Sequence, residues 1–214
     1  MVTLFLGIIT GTVIALILNK FLADKLESKA QKAGLKITAF IVCVILSLSF
    51  FAIGSLRKTL YNFLEGKINI INVSLSAAFP NVNIAEMNIN SKDFISVSGE
   101  MQQITNNIDT SSEGFFRKMI FDNFSQRITA HVNAIQNNAN NVAVVMENFG
   151  NQGGIISINS ILHHFKDMAL RRVSPFILLG QAGIIVLFLI YVAIYIGVYS
   201  FFKKISRKKT WQIA

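Results

Sequence analysis

Three stretches of this chain, residues 2–18, 37–56 and 175–202, contain no Asp, Glu, Lys, Arg or His. At about 1.5 Å rise per residue, each is long enough to cross a hydrocarbon layer of roughly 30 Å as a helix. Backbone inside lipid has no water to bond to, so a helix, which satisfies its own backbone groups, is the expected form of all three. The expected fold class is an all-α membrane protein. It has three transmembrane helices and a mainly helical extracytoplasmic domain between the second and third. Only 14% of residues are charged, against about 25% in soluble domains, which agrees with that expectation.

The placement of charge predicts orientation, because basic residues flanking spans favour the cytoplasmic side. The linker 19–36 carries Lys20, Lys25, Lys29, Lys32 and Lys36 against Asp24 and Glu27. The tail 203–214 carries Lys203, Lys204, Arg207, Lys208 and Lys209 with no acid. The segment 57–172 is nearly balanced. Both basic segments are therefore expected in the cytoplasm, with the N-terminus outside, span 1–18 and span 37–56 forming a hairpin, and span 173–202 returning inward. The first stretch lacks a basic n-region and a small-x-small site before Lys20, so it reads as an uncleaved anchor. The net charge of +9 sits at the membrane edges, which points to anionic lipid headgroups and away from nucleic acid. Trp211 beside the basic tail suits an interfacial position. The Ile-, Asn-, Lys- and Phe-rich composition is compatible with a bacterial inner-membrane protein.

Within 57–172 the clearest element is a long amphipathic helix over about 113–149. Phe116, Ile120, Phe124, Ile128, Val132, Ile135, Ala139, Val142, Met146 and Phe149 recur in steps of three and four, the mark of one helical face. Ser111 or Ser112 is the expected N-cap, with Glu113 in the first turn. Gly150 to Gly154 ends the run with turn chemistry. A second helix over about 157–172 presents Ile158, Ile161, Leu162, Phe165, Met168 and Ala169, and Pro175 opens the last span. Leu56, Leu60, Phe63 and Leu64 extend the second span as helix. Between 77 and 110, Pro80 marks a break and residues 94–98 suit a short strand or extended segment.

Small residues identify the expected packing faces of the spans. Gly7 and Gly11 form a GxxxG pair, a flat surface that lets a second helix approach closely. Ala39, Cys43 and Ser47 make a similar line on the second span, and Ala193 and Gly197 on the third. Thr3, Thr10 and Thr12 offer interhelical hydrogen bonds. Gln181, the most polar residue within a span, reads as interfacial. The partner of each small-residue line is open: another span of this chain, a second copy, or another subunit.

Chemistry-bearing patterns are few. His163 and Asp167, four apart on one helical face, are weak metal candidates, since structural zinc wants four ligands and only His131 or Glu147 offer more. No GxSxG, HExxH, Walker A or GxGxxG is present, and the single Cys43 lies inside a span. No cofactor and no catalytic residue is expected. Spans without ionisable residues argue against a self-contained transporter. Three functions survive: a non-catalytic subunit or scaffold of a membrane complex, an extracytoplasmic sensor working through a partner chain, and a component of an oligomeric pore. The expected partners are the bilayer and other membrane subunits or a second copy.

Overall fold

The computed structural model describes residues 2–88, 92–137 and 155–211, the segment 206–211 by backbone alone. The elements in chain order are α1 (Val2–Phe21), a 3-10 turn (Ala23–Lys25), α2 (Lys29–Ala78), β1 (Met87–Asn88), α3 (Lys92–Asn107), α4 (Phe115–Asn137), β2 (Ile155–Ile156) and α5 (Ile158–Trp211). The chain is mostly helical, and three helices are long and apolar enough to cross a membrane: α1 with its following turn, α2 and α5. The chain divides into two compact units. A span unit comprises Met1–Leu56 with Phe176–Ala214, and a helical unit comprises Arg57–Pro175. α2 and α5 each contribute to both.

In the span unit the buried residues of α1 are Gly7, Gly11, Ala15 and Asn19. Steps of four place them on one narrow stripe, while Leu4, Phe5, Ile9, Val13, Leu16 and Ile17 are exposed. At the other end of the unit, Ala23, Leu26, Leu35, Ala39, Tyr195 and Tyr199 form a buried cluster, with Leu18, Leu22, Tyr191 and Phe202 against it. The turn between α1 and α2 is tied by Asp24, whose Oδ1 lies 3.2 Å from Lys32 Nζ and 2.6 Å from Lys36 Nζ.

The helical unit is built differently. Leu60, Leu64, Ile68, Ile71 and Leu75 of α2 are buried, together with Phe94, Val97 and Met101 of α3. α4 contributes Ile120, Phe121, Phe124, Ile128, Val132 and Ile135, and α5 adds Ile158, Ile161, Leu162, Phe165 and Ala169. Each large side chain removed from water contributes about 1.5–3 kcal/mol before conformational entropy is counted. Four amphipathic helical faces thus converge on one apolar core. A two-residue antiparallel ladder, Met87 with Ile156 and Asn88 with Ile155, joins the two loops at one edge.

The structure departs from the sequence expectation in several places. Residues 94–98 are helical, as part of α3. The buried set Phe94, Val97, Ser98, Met101 and Thr105 has a helical period that a five-residue window hides. α4 begins at Phe115, where the Arg117 amide bonds the Gly114 carbonyl. Ser111 therefore caps no helix; its amide instead bonds Asp109 Oδ1 at 2.8 Å. Phe116 is exposed and Phe121 takes the core position. Residues 138–149 of the expected long helix, and the 150–154 turn, lie outside the described residues. Pro175 does not open a helix but stands inside α5. Its missing N–H removes the usual helical donor to the Arg171 carbonyl.

Candidate functional site

The GxxxG pair closes against the chain's own second span. A Cβ built on Gly7 would lie 2.9 Å from Leu48 Cα, and one on Gly11 would lie 2.5 Å from Val44 Cα and 2.8 Å from the Cys43 carbonyl oxygen. These are backbone atoms and cannot rotate away, so only glycine permits this approach. Ala39 and Cys43, on the facing helix, are fully buried. Ser47 is half-buried and lines a small apolar groove of about 190 Å³ with Thr10, Phe50 and Phe188. Thr12 donates to its own helix at Ile8. Gln181, expected to be interfacial, has its Nε2 against Gly54 of α2, where a Cβ would come within 2.8 Å.

The third small-residue line behaves otherwise. Ala193 and Gly197 are exposed, and a Cβ on Gly197 would meet nothing within 4 Å. The packed side of α5 in this unit carries Tyr195 and Tyr199, both buried, with half-buried Tyr191 beside them. The Tyr195 hydroxyl donates to Asn19 Oδ1 at 3.0 Å, and Asn19 Nδ2 reaches the Lys36 carbonyl at 3.5 Å. All three span helices meet at this polar clasp. The sequence reading missed it, although tyrosines at 191, 195 and 199 already carry helical spacing. Lys203 and Lys204 are exposed, and Lys203 Nζ lies 5.8 Å from the centroid of the Tyr199 ring. α5 runs on through Arg207, Lys208 and Lys209, whose side chains lie outside the described residues.

In the helical unit the one buried charge among the described residues is Lys166, only 2% exposed. Its ammonium donates to Glu65 Oε2 at 2.6 Å, lies 2.8 Å from His163 Nδ1, and sits 4.0 Å from the centroid of the Tyr61 ring. With Nδ1 accepting from lysine, the proton of neutral His163 belongs on Nε2, which faces Glu65 Oε1 at 3.8 Å. Burying an ammonium is costly without such partners. Lys166 follows Phe165 on the buried side of α5, so it was hidden among apolar neighbours at helical spacing.

His163 is thus engaged by Lys166 and Glu65, while Asp167, one turn further on, is exposed. Among the described residues, no group of three or more His, Cys, Asp or Glu is placed to hold a metal. Beside the cluster, Asn62, Glu65, Asn69, Asn72, Asn159 and His163 line an open polar groove of about 580 Å³. Asn72 Nδ2 donates to Asn159 Oδ1 at 2.9 Å, but Asn72 Oδ1 is buried without a partner.

His131 of α4 stands edge-on to Phe165, ring centroids 5.2 Å apart. Burial, with the His164 charge adding to it, pushes its pKa down to about 4, so it is neutral near pH 7. No protein-family model, no curated protein and no solved structure matches this chain.

Proposed function

We propose that this chain is a non-catalytic integral membrane subunit or scaffold of a membrane protein complex. It works in a bacterial inner membrane, with its N-terminus and the helical unit outside and its C-terminus in the cytoplasm. The observation that carries the reading is the contrast between the two small-residue faces. Gly7 and Gly11 are consumed by the chain's own second span, whereas Ala193 and Gly197 lie open on α5. Small residues in a span allow close helix approach and the dispersion contacts that drive association in lipid, so the open face suits a helix of another subunit. Phe115, 75% exposed, and Val73, 63% exposed, offer apolar contacts on the helical unit as well.

The test is the mass of the complex purified in mild detergent, with its co-purifying chains identified. A defined heteromeric assembly that Gly197→Leu dissociates, without changing the helical content of the chain, is the expected result. A monomer, or a homo-oligomer unaffected by Gly197→Leu, overturns the reading. A second reading, an extracytoplasmic sensor acting through a partner chain, is favoured by one observation. The polar groove of the helical unit lies between α2 and α5, the two helices that also run through the span unit.

A further inference from the structure

In the helical unit α4 crosses the two helices that lead out of it. The Arg117 guanidinium stands over the Phe63 ring of α2, 5.7 Å from its centroid, and the Phe121 ring meets the same ring at 6.4 Å. Arg127 donates to Met168 Sδ of α5 at 3.5 Å. The unit begins on α2 at Arg57 and ends on α5 at Pro175. Phe63 lies six residues from the first boundary and Met168 seven from the second, about 9–11 Å at helical rise. Contacts spread over residues 117–127 thus share one level. The first half of α4 lies across α2 and α5, close to the end of the unit where both depart.

The surface of that end is aromatic and basic. Phe115 and Phe116 are both exposed, although α4 fills the core with Ile120, Phe121, Phe124 and Ile128. Their rings pack edge to face, centroids 5.5 Å apart. Phe115, Lys118 and Met119 line one open groove, so the Phe115 ring and the Lys118 side chain share a side of α4. Arg57, Lys58, Arg117, Lys118, Arg171 and Arg172 are all exposed. Of the acids on these three helices within the unit, Glu65 is held by Lys166, which leaves Asp122 and Asp167 exposed. Glu113, just before α4, is held by Lys67 and Arg117. Apolar rings in a basic surround suit a helix lying on a lipid surface, where the rings leave water and the cations meet phosphate.

We propose that the start of α4 rests on the lipid headgroup layer, with Phe115 and Phe116 inserted among the headgroups and Arg117 and Lys118 reaching the phosphates. The charge-free stretches of α2 and α5 stop at Leu56 and begin at Pro175, so Phe63 and Met168 stand within about 10 Å of the hydrocarbon edge. The headgroup layer fills about 5–7 Å of that gap, and long side chains at the edge of a bilayer cover the rest. The proposal rests on those two stretches lying in a bilayer, as proposed above. It assigns Phe115 to lipid and leaves Val73 for a partner chain.

The experiment is fluorescence quenching of the full chain in vesicles of phosphatidylcholine and phosphatidylglycerol. Trp211 is the one tryptophan of the chain, so Trp211→Phe gives a background for single tryptophans. Phe115→Trp and Phe116→Trp change exposed aromatic sites and leave the core intact. A nitroxide on the lipid headgroup should quench both roughly threefold more than Val73→Trp, an exposed site about 24 Å along α2 from Arg57. Leu187→Trp, exposed and about 18 Å along α5 from Pro175, should be quenched by a nitroxide deep on the acyl chain. An unquenched Leu187→Trp would overturn the bilayer placement, and this proposal with it. With Leu187→Trp quenched, Phe115→Trp and Phe116→Trp quenched no more than Val73→Trp would overturn this proposal alone and leave the aromatic pair to a partner chain.

Discussion

The α1–α2 seam of the span unit and the core of the helical unit are both made of packed helices, but opposite residue sizes hold them together. In the span unit α1 meets α2 through Gly7, Gly11, Ala15, Ala39 and Cys43, while most large apolar side chains of α1 point away; larger side chains such as Leu35, Tyr195 and Tyr199 are buried at the far end of the unit. In the helical unit the large side chains, Phe94, Phe124, Leu60, Leu64 and Ile128 among them, fill the interior. The difference matches what lipid and water would each select. Lipid is as apolar as leucine, so burying a large side chain inside a bilayer gains little, and close backbone approach decides packing. Against water the same burial is the main driving force.

The strongest way to break this comparison is to enlarge a small residue in the span unit. Gly11→Leu should separate α1 from α2, beyond the ~1–3 kcal/mol of ordinary overpacking, because the atoms it meets are backbone. Loss of a disulfide cross-link between cysteines placed on the two helices would record it, and a retained cross-link would refute the close approach. The reverse substitution belongs to the helical unit. Phe124→Ala should cost about 3–5 kcal/mol there, read by denaturation in detergent, while the α1–α2 cross-link persists.

The next effect concerns pH. His131 has its pKa lowered to about 4 in the folded chain, against about 6.5 unfolded. Between those values the unfolded chain binds the extra proton, so stability is full above pH 6.5 and falls as pH drops toward 4. The decline attributable to this residue should approach, at most, about 3 kcal/mol. Comparing unfolding midpoints at pH 7 and pH 5 should show it, and His131→Leu should flatten the difference; an unchanged slope in the variant would remove His131 as the cause. The smallest expected effect sharpens the comparison from the polar side. Tyr195→Phe removes the bond to Asn19 and should cost about 1 kcal/mol, measured as a lower melting temperature of the span unit.

Helical periodicity and charge-free length are local properties, and the elements they define were legible in the residue order. The three spans, the apolar face of α4 from Ile120 to Ile135 and the special standing of Gly7 and Gly11 were all readable. Residues 94–98 were misread because five residues of mixed polarity fit two periods. Pro175 was misread because proline at a helix start and proline inside a long helix look alike in one dimension. Lys166 was invisible as a buried charge, since its partner Glu65 lies 101 residues away.

The residue order by itself determined most of the helices, α3 excepted, which of them are apolar enough for a membrane, and which faces carry small residues. Only the tertiary structure decided which face is used within the chain. It closed Gly7 and Gly11 on α2, left Ala193 and Gly197 open, and turned Tyr195 and Tyr199 inward. The physical reason is that a helix's own pattern follows from its sequence, whereas the pairing of two faces depends on the shape and hydrogen bonds of a partner far along the chain.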